Sequence, residues 1–307
     1  MYLQLPSQKY EKTVGVMHKW LQDHLPKIVL APSFAMVVVF VYGFIAWTAY
    51  ISFTNSKLLP RYQFEGLLQY RKLWEMDRWH VALDNLFVFS ALFILFCMAI
   101  GLLLAILLDQ RIRIEGALRT IYLYPMALSF IVTGTAWKWI LNPGLGIEKA
   151  VRELGFENFE FNWLVDPEFA IYTIVIAGVW QSSGFVMAIF LAGLRSIDDE
   201  IIKAAYMDGA NLPRIYLRII IPSMRATFLS AFIVLAHLAI KSFDLIVVLT
   251  RGGPGYATDM PATFMYAMAF SRGRIGLAAA SATIMIITVM AIIIPYLYSE
   301  LRSKRHE

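Results

Sequence analysis

Six apolar runs, at about 29–53, 85–108, 120–141, 169–193, 226–250 and 275–298, divide this 307-residue chain and constrain its fold more than any other feature. Each reaches the roughly 20 residues that a helix needs to cross a ~30 Å hydrocarbon core. Inside lipid every backbone N–H and C=O must be satisfied within the segment, so runs of this length read as spanning helices. With 59% hydrophobic and 16% charged residues, the chain also lacks the polar exterior of a water-soluble domain. The expected fold class is an all-α integral membrane protein with six transmembrane helices. Its expected organisation is an N-terminal segment at 1–28, a six-helix domain at 29–298 and a tail at 299–307.

The third run is the least regular, because Pro125 falls early in it and Lys138 sits between Trp137 and Trp139 near its end. Aromatics flanking a lysine suit the headgroup boundary, where the ammonium reaches outward.

A net charge of +5 raises the question of a nucleic-acid partner, but the basic residues fall mainly in short connections between apolar runs. There they report orientation rather than a polyanion, and no nucleic acid is expected. Arg111, Arg113 and Arg119 crowd the second connection, whereas 142–168 is mostly acidic. Six crossings place both termini on one side, and this charge bias puts both termini and the connection at about 194–225 in the cytoplasm. Lys9, Lys12, Lys19 and Lys27, with no apolar stretch before about Val29, argue for a retained first span rather than a cleaved signal.

Several chemistries are excluded. Cys97 is the single cysteine, so neither a disulfide framework nor a cysteine metal cage is available, and it reads as a small core residue. No Gly-x-x-x-x-Gly-Lys-Ser/Thr, His-Glu-x-x-His or Gly-x-Ser-x-Gly occurs, so the chain carries neither a phosphate-cradling loop nor a hydrolase signature. It is expected to perform no covalent chemistry and to hold no cofactor or metal of its own.

The connection at 194–225 is unusually long and structured. Gly193 is expected to end the fourth span in a left-handed conformation, and Ser196 to cap a helix with Asp198, Asp199 and Glu200 in its first turn. Ile201, Ile202, Ala205 and Tyr206 form an apolar stripe at helical spacing. Gly209 is expected to end or bend that helix, Pro213 to open another, and Pro222 to mark the entry to the fifth span. The prediction is two short helices across the cytoplasmic face; a plain interfacial connector is the bland reading.

Ala204 and Ala205, the pair Asp208–Gly209 and the later "IIIP" at Ile219–Pro222 resemble the EAA loop of binding-protein-dependent ABC importer permeases. The family motif opens with Glu-Ala-Ala, and Lys203 stands where its glutamate would be. Two further stretches, Tyr122–Gly146 and Phe243–Phe270, resemble the carbohydrate branch of the same family, of the maltose and glycerol-3-phosphate type. The resemblance implies a permease subunit in the inner membrane, paired with a second homologous permease and driven by a cytoplasmic ATPase dimer. ATP and Mg would then sit on that partner, and an extracytoplasmic sugar-binding protein would deliver a carbohydrate. It also implies that Ile201, Ala204, Ala205, Asp208, Gly209 and Ala210 couple the spans to the ATPase. An ion-coupled secondary transporter or channel is the alternative class.

Candidate pathway residues follow from cost. Ionisable groups within spans are expensive and often functional, which singles out His237, Lys241 and Asp244; their spacing puts them on one face of a continuous helix and allows a Lys241–Asp244 pair. In the fourth span, Trp180, Gln181 and Ser183 offer an aromatic platform beside amide and hydroxyl groups, a combination that suits sugars. The bland reading is that Ser182 and Ser183 bond to their own helix, while Gly184 allows close helix packing. The loop Thr250–Gly255 reads as a tight turn or, by the resemblance, a gating or docking element near the binding protein.

Overall fold

A computed structural model describes residues 24–59, 61–110 and 112–303. Most of the expected N-terminal segment, Arg111 and the end of the tail lie outside the described residues. Among the described residues the architecture is helical, with one isolated antiparallel bridge, Thr54 to Phe64. We number the helices α1 His24–Ser52, α2 Leu68–Trp74, α3 Asp77–Asp109, α4 Glu115–Ala127, α5 Phe130–Ile140, α6 Gly146–Glu153 and α7 Ala170–Leu194. These are followed by α8 Asp199–Met207, α9 Leu212–Ser223, α10 Arg225–Ile240, α11 Asp244–Leu249, α12 Pro261–Tyr266 and α13 Ile275–Ser303.

Among the described residues four helices, α1, α3, α7 and α13, are long and apolar enough to cross a membrane alone, and six crossings result if each of two bent pairs counts as one. The expected third span is one such pair, α4 and α5, bent by 98°. Pro125 lies in the last turn of α4, Leu128 is extended, and Ser129 restarts the chain by accepting the N–H of Ile131 at 3.2 Å. The expected fifth span is shorter than the apolar run: α10 stops at Ile240, and α11 begins only at Asp244. The second bent pair, α9 and α10, meets at 67° just after Pro222, where Met224 leaves helical geometry.

Helix α7 is the hub, with 72% of its most apolar window buried, whereas the corresponding window of α1 has none buried. Small residues explain the approach of its neighbours. A Cβ on Gly101 of α3 would stand 2.7 Å from a methyl of Val186, and one on Gly184 would overlap the carbonyl of Tyr122 in α4. Gly193 does not end the fourth span as expected. The helix runs on through Leu194, and Gly193 instead makes room for Thr227 and Met224 at the start of α10. Packing against α10, not a terminal turn, is the reason for glycine there. Cys97 is buried in the core between α3 and α7.

Candidate functional site

The connection after α7 folds into two short helices. Asp198, not Ser196, caps α8, accepting the N–H of Glu200 at 2.9 Å, while the Ser196 hydroxyl turns back to the Gly193 carbonyl. At the other end Gly209 takes φ +75°, its N–H bonds the carbonyl of Tyr206 and that of Ala210 the carbonyl of Ala205, both at 3.0 Å. This paired closure is the Schellman geometry that a glycine in the left-handed region permits. Asn211 then caps α9 through the N–H of Arg214, and Pro213 sits in its first turn behind Leu212.

Of the expected coupling residues, Ala205 is buried against the bundle, Ala210 is half-buried, and Ile201, Ala204, Asp208 and Gly209 are exposed on the outer side of the hook. Ile201, Tyr206, Met207, Leu212 and Leu217 are all large, apolar or aromatic, and exposed along it. Arg195, the residue that closes α7, ties the base of the hook to the α3–α4 corner, with its guanidinium 2.7 Å from Glu115 and 3.6 Å from Asp109. The hydrogen bond to Glu115, the larger cause, and the nearby carboxylates raise the Arg195 pKa above its ordinary value. No local spacing in the sequence announces this junction, because its members come from three separate helices.

The six candidate pathway residues do not share one surface. Lys241 and Asp244 both line a cavity of about 230 Å³, together with Phe89, Phe93, Phe130 and Ser242. It opens at the gap between α10 and α11, so the two residues flank a break instead of sharing a helical face. No ion pair joins them within 4.0 Å among the described residues. Non-helical backbone at membrane depth persists only where it is buried in protein or lines a cavity, and here it lines a cavity. His237 is exposed and does not line this cavity.

Trp180 and Ser183 face a different space, an apolar groove of about 1050 Å³ between α3, α4 and α7. Trp180 meets Trp137 edge-on at 5.9 Å between ring centroids. Gln181 lines neither space. It is buried, and its amide donates to the Leu128 carbonyl at 2.8 Å, bracing the bend of the third crossing.

Residues 98–303 match the family of binding-protein-dependent transport system inner membrane components. The chain belongs to this family. A probable ABC transporter permease protein of Pyrococcus horikoshii is 42% identical to it over 278 residues, covering 89% of this chain and 95% of the relative. The xylose/arabinose import permease protein XacH of Haloferax volcanii is 39% identical over 269 residues, covering 86% and 84%. In fold, the chain is similar to a bacterial alginate ABC transporter solved in complex with an alginate pentasaccharide-bound periplasmic protein. That likeness has a TM-score of 0.79 at 20% identity and covers 94% of this chain and 96% of the other. The protein is thus a membrane-embedded permease component of an ABC import system.

Proposed function

We propose that this permease component forms one half of the translocation pathway of an ATP-driven sugar importer, with a second homologous permease supplying the other half. The cavity at the α10–α11 break carries this reading. It combines four phenylalanine rings, Phe89, Phe93, Phe130 and Phe243, with the Lys241 ammonium, the Ser242 hydroxyl and the Asp244 carboxylate. Sugars present hydroxyls around partly apolar ring faces, which this mixture matches. Complete ligand pockets hold roughly 300–1,000 Å³, so about 230 Å³ fits a half-site completed across a subunit interface. Relatives named for xylose/arabinose and trehalose/maltose transport support the same substrate class.

Pairing is supported by α1, whose apolar window holds no fully buried residue within its own chain, and by the apolar groove of about 1050 Å³ lined by Trp180 and Ser183. The exposed hook Ile201–Ala210 docks a cytoplasmic ATPase dimer, which holds ATP and Mg, and passes its closure to α7 and α10. The charge bias of the connections places both termini and this hook in the cytoplasm, leaving the loop 250–260 to meet an extracytoplasmic sugar-binding protein.

Uptake of radiolabelled glucose, xylose, arabinose, trehalose and maltose in cells deleted for the gene tests the proposal. Loss of one sugar's uptake, restored by the wild-type gene, is expected. Unchanged uptake of the whole panel overturns the sugar assignment.

A further inference from the structure

Asp259 is buried, yet it is a carboxylate outside the long helices, in the loop that links α11 to α12. Burying an unpaired charge is strongly unfavourable, so its partners define what the site is for. One oxygen accepts the Arg78 Nε–H at 2.6 Å, and the other accepts the Thr263 hydroxyl at 2.6 Å. The Asn85 amide, two turns further along α3, donates to the carbonyls of Asp259 at 2.9 Å and Tyr256 at 3.3 Å. The Arg78 guanidinium also lies 4.4 Å from the centre of the Tyr256 ring, within cation–π range.

The loop so held is stiff in itself. Thr250 and Thr258 join hydroxyls at 2.7 Å, Thr258 donates to the Gly253 carbonyl at 2.8 Å, and Arg251, Gly252 and Gly255 all occupy positive φ. Its exposed tip is Arg251, Gly255 and Tyr256. Helix α3, to which it is fastened, runs unbroken for 33 residues, about 50 Å at 1.5 Å per residue. Its far end is Asp109, which faces Arg195 at the base of the hook. One rigid helix therefore carries an ionic fastening at each end, the outer one buried and the inner one at the connection between the spans and the hook.

We propose that Arg78 is a positioning residue that fixes the 250–260 loop to α3, so that a protein pressing on the loop displaces α3 and, through Asp109 and Arg195, the hook. This rests on the importer reading, in which the loop meets the sugar-loaded binding protein. A buried charged bond, two backbone clamps and a ring contact serve a loop whose tip, Arg251, Gly255 and Tyr256, stays exposed, which is more than simple closure of a turn between two helices demands.

The test uses the whole transporter in nanodiscs, with Arg78→Ala and Arg78→Lys variants of this chain. ATP hydrolysis is titrated with the transporter's binding protein loaded with the sugar that wild-type cells take up. Amide hydrogen exchange of 250–260 is followed in parallel. Arg78→Ala is expected to raise the half-saturating binding-protein concentration about tenfold, roughly 1.4 kcal/mol of docking. Basal hydrolysis should stay at the wild-type level, exchange in the loop should quicken, and Arg78→Lys should restore most of both readouts. Unchanged half-saturation, or a parallel fall of basal and stimulated hydrolysis, overturns the proposal. If Arg78→Ala does not assemble, Asp259→Asn, which keeps the acceptor for Thr263, carries the same measurements. A wild-type complex that no sugar-loaded binding protein stimulates would sink the importer reading instead, and loop exchange alone would then decide whether Arg78 fastens the loop.

Discussion

The side-chain amide of Gln181, buried in the middle of α7, donates a 2.8 Å hydrogen bond to the carbonyl of Leu128, the residue at which the third crossing turns by 98°. A bend inside a membrane frees backbone carbonyls from their helix, and one of them is satisfied here by a side chain from another span.

Gln181→Leu therefore leaves the Leu128 carbonyl without its partner, at about 1–3 kcal/mol. We expect a lower thermal midpoint of the detergent-solubilised complex and reduced uptake. A variant as stable as the wild type would show that the bend holds without this bond.

Gly184 and Gly193 separate two kinds of close contact. A Cβ at 184 meets the Tyr122 backbone, whereas one at 193 meets the Thr227 side chain at 2.8 Å. Side chains can rotate and backbone cannot, so Gly184→Ala is expected to be the more damaging, within the roughly 1–3 kcal/mol range of overpacking. Thermal midpoints and membrane yields of the two variants decide the order.

At Gly209 nothing stands within 4 Å of an added Cβ, so a substitution there is strained only through φ +75°. Gly209→Ala should cost about 1 kcal/mol and Gly209→Asn less, since asparagine tolerates this region. Gly209→Asp should insert normally yet recover less ATPase on purification, with uptake falling alongside. Full recovery and wild-type uptake in the aspartate variant would remove the hook from the ATPase interface.

Lys241 and Asp244 yield an opposite expectation to that of a buried pair. With no ion pair between them but one cavity shared, Lys241→Met and Asp244→Leu should couple only modestly, by about 0.5–1 kcal/mol in a double-mutant cycle on uptake. Strong coupling would show that the two charges meet in a conformation other than this one.

Local physics was legible from the chain alone. Apolar runs long enough to cross a bilayer announced the membrane helices, because lipid leaves the backbone no other solution. The helix–glycine–proline punctuation of 194–225 announced the hook, because capping and φ preferences act between near neighbours. Even there the expected cap, Ser196, gave way to Asp198 in the folded chain.

What joins distant residues was decided by the tertiary structure. The 98° bend, the break after Ile240, the separation of Trp180 from Lys241 onto different spaces and the role of Gly193 all follow from which helices pack together. Arg78 and Asp259 lie 181 residues apart, so no spacing rule could pair them. The sequence determined how much of this protein sits in the membrane and where its chain punctuates. Packing decided which polar groups meet there, because an interior charge or carbonyl is satisfied by whatever the fold brings within about 3 Å, whatever its distance along the chain.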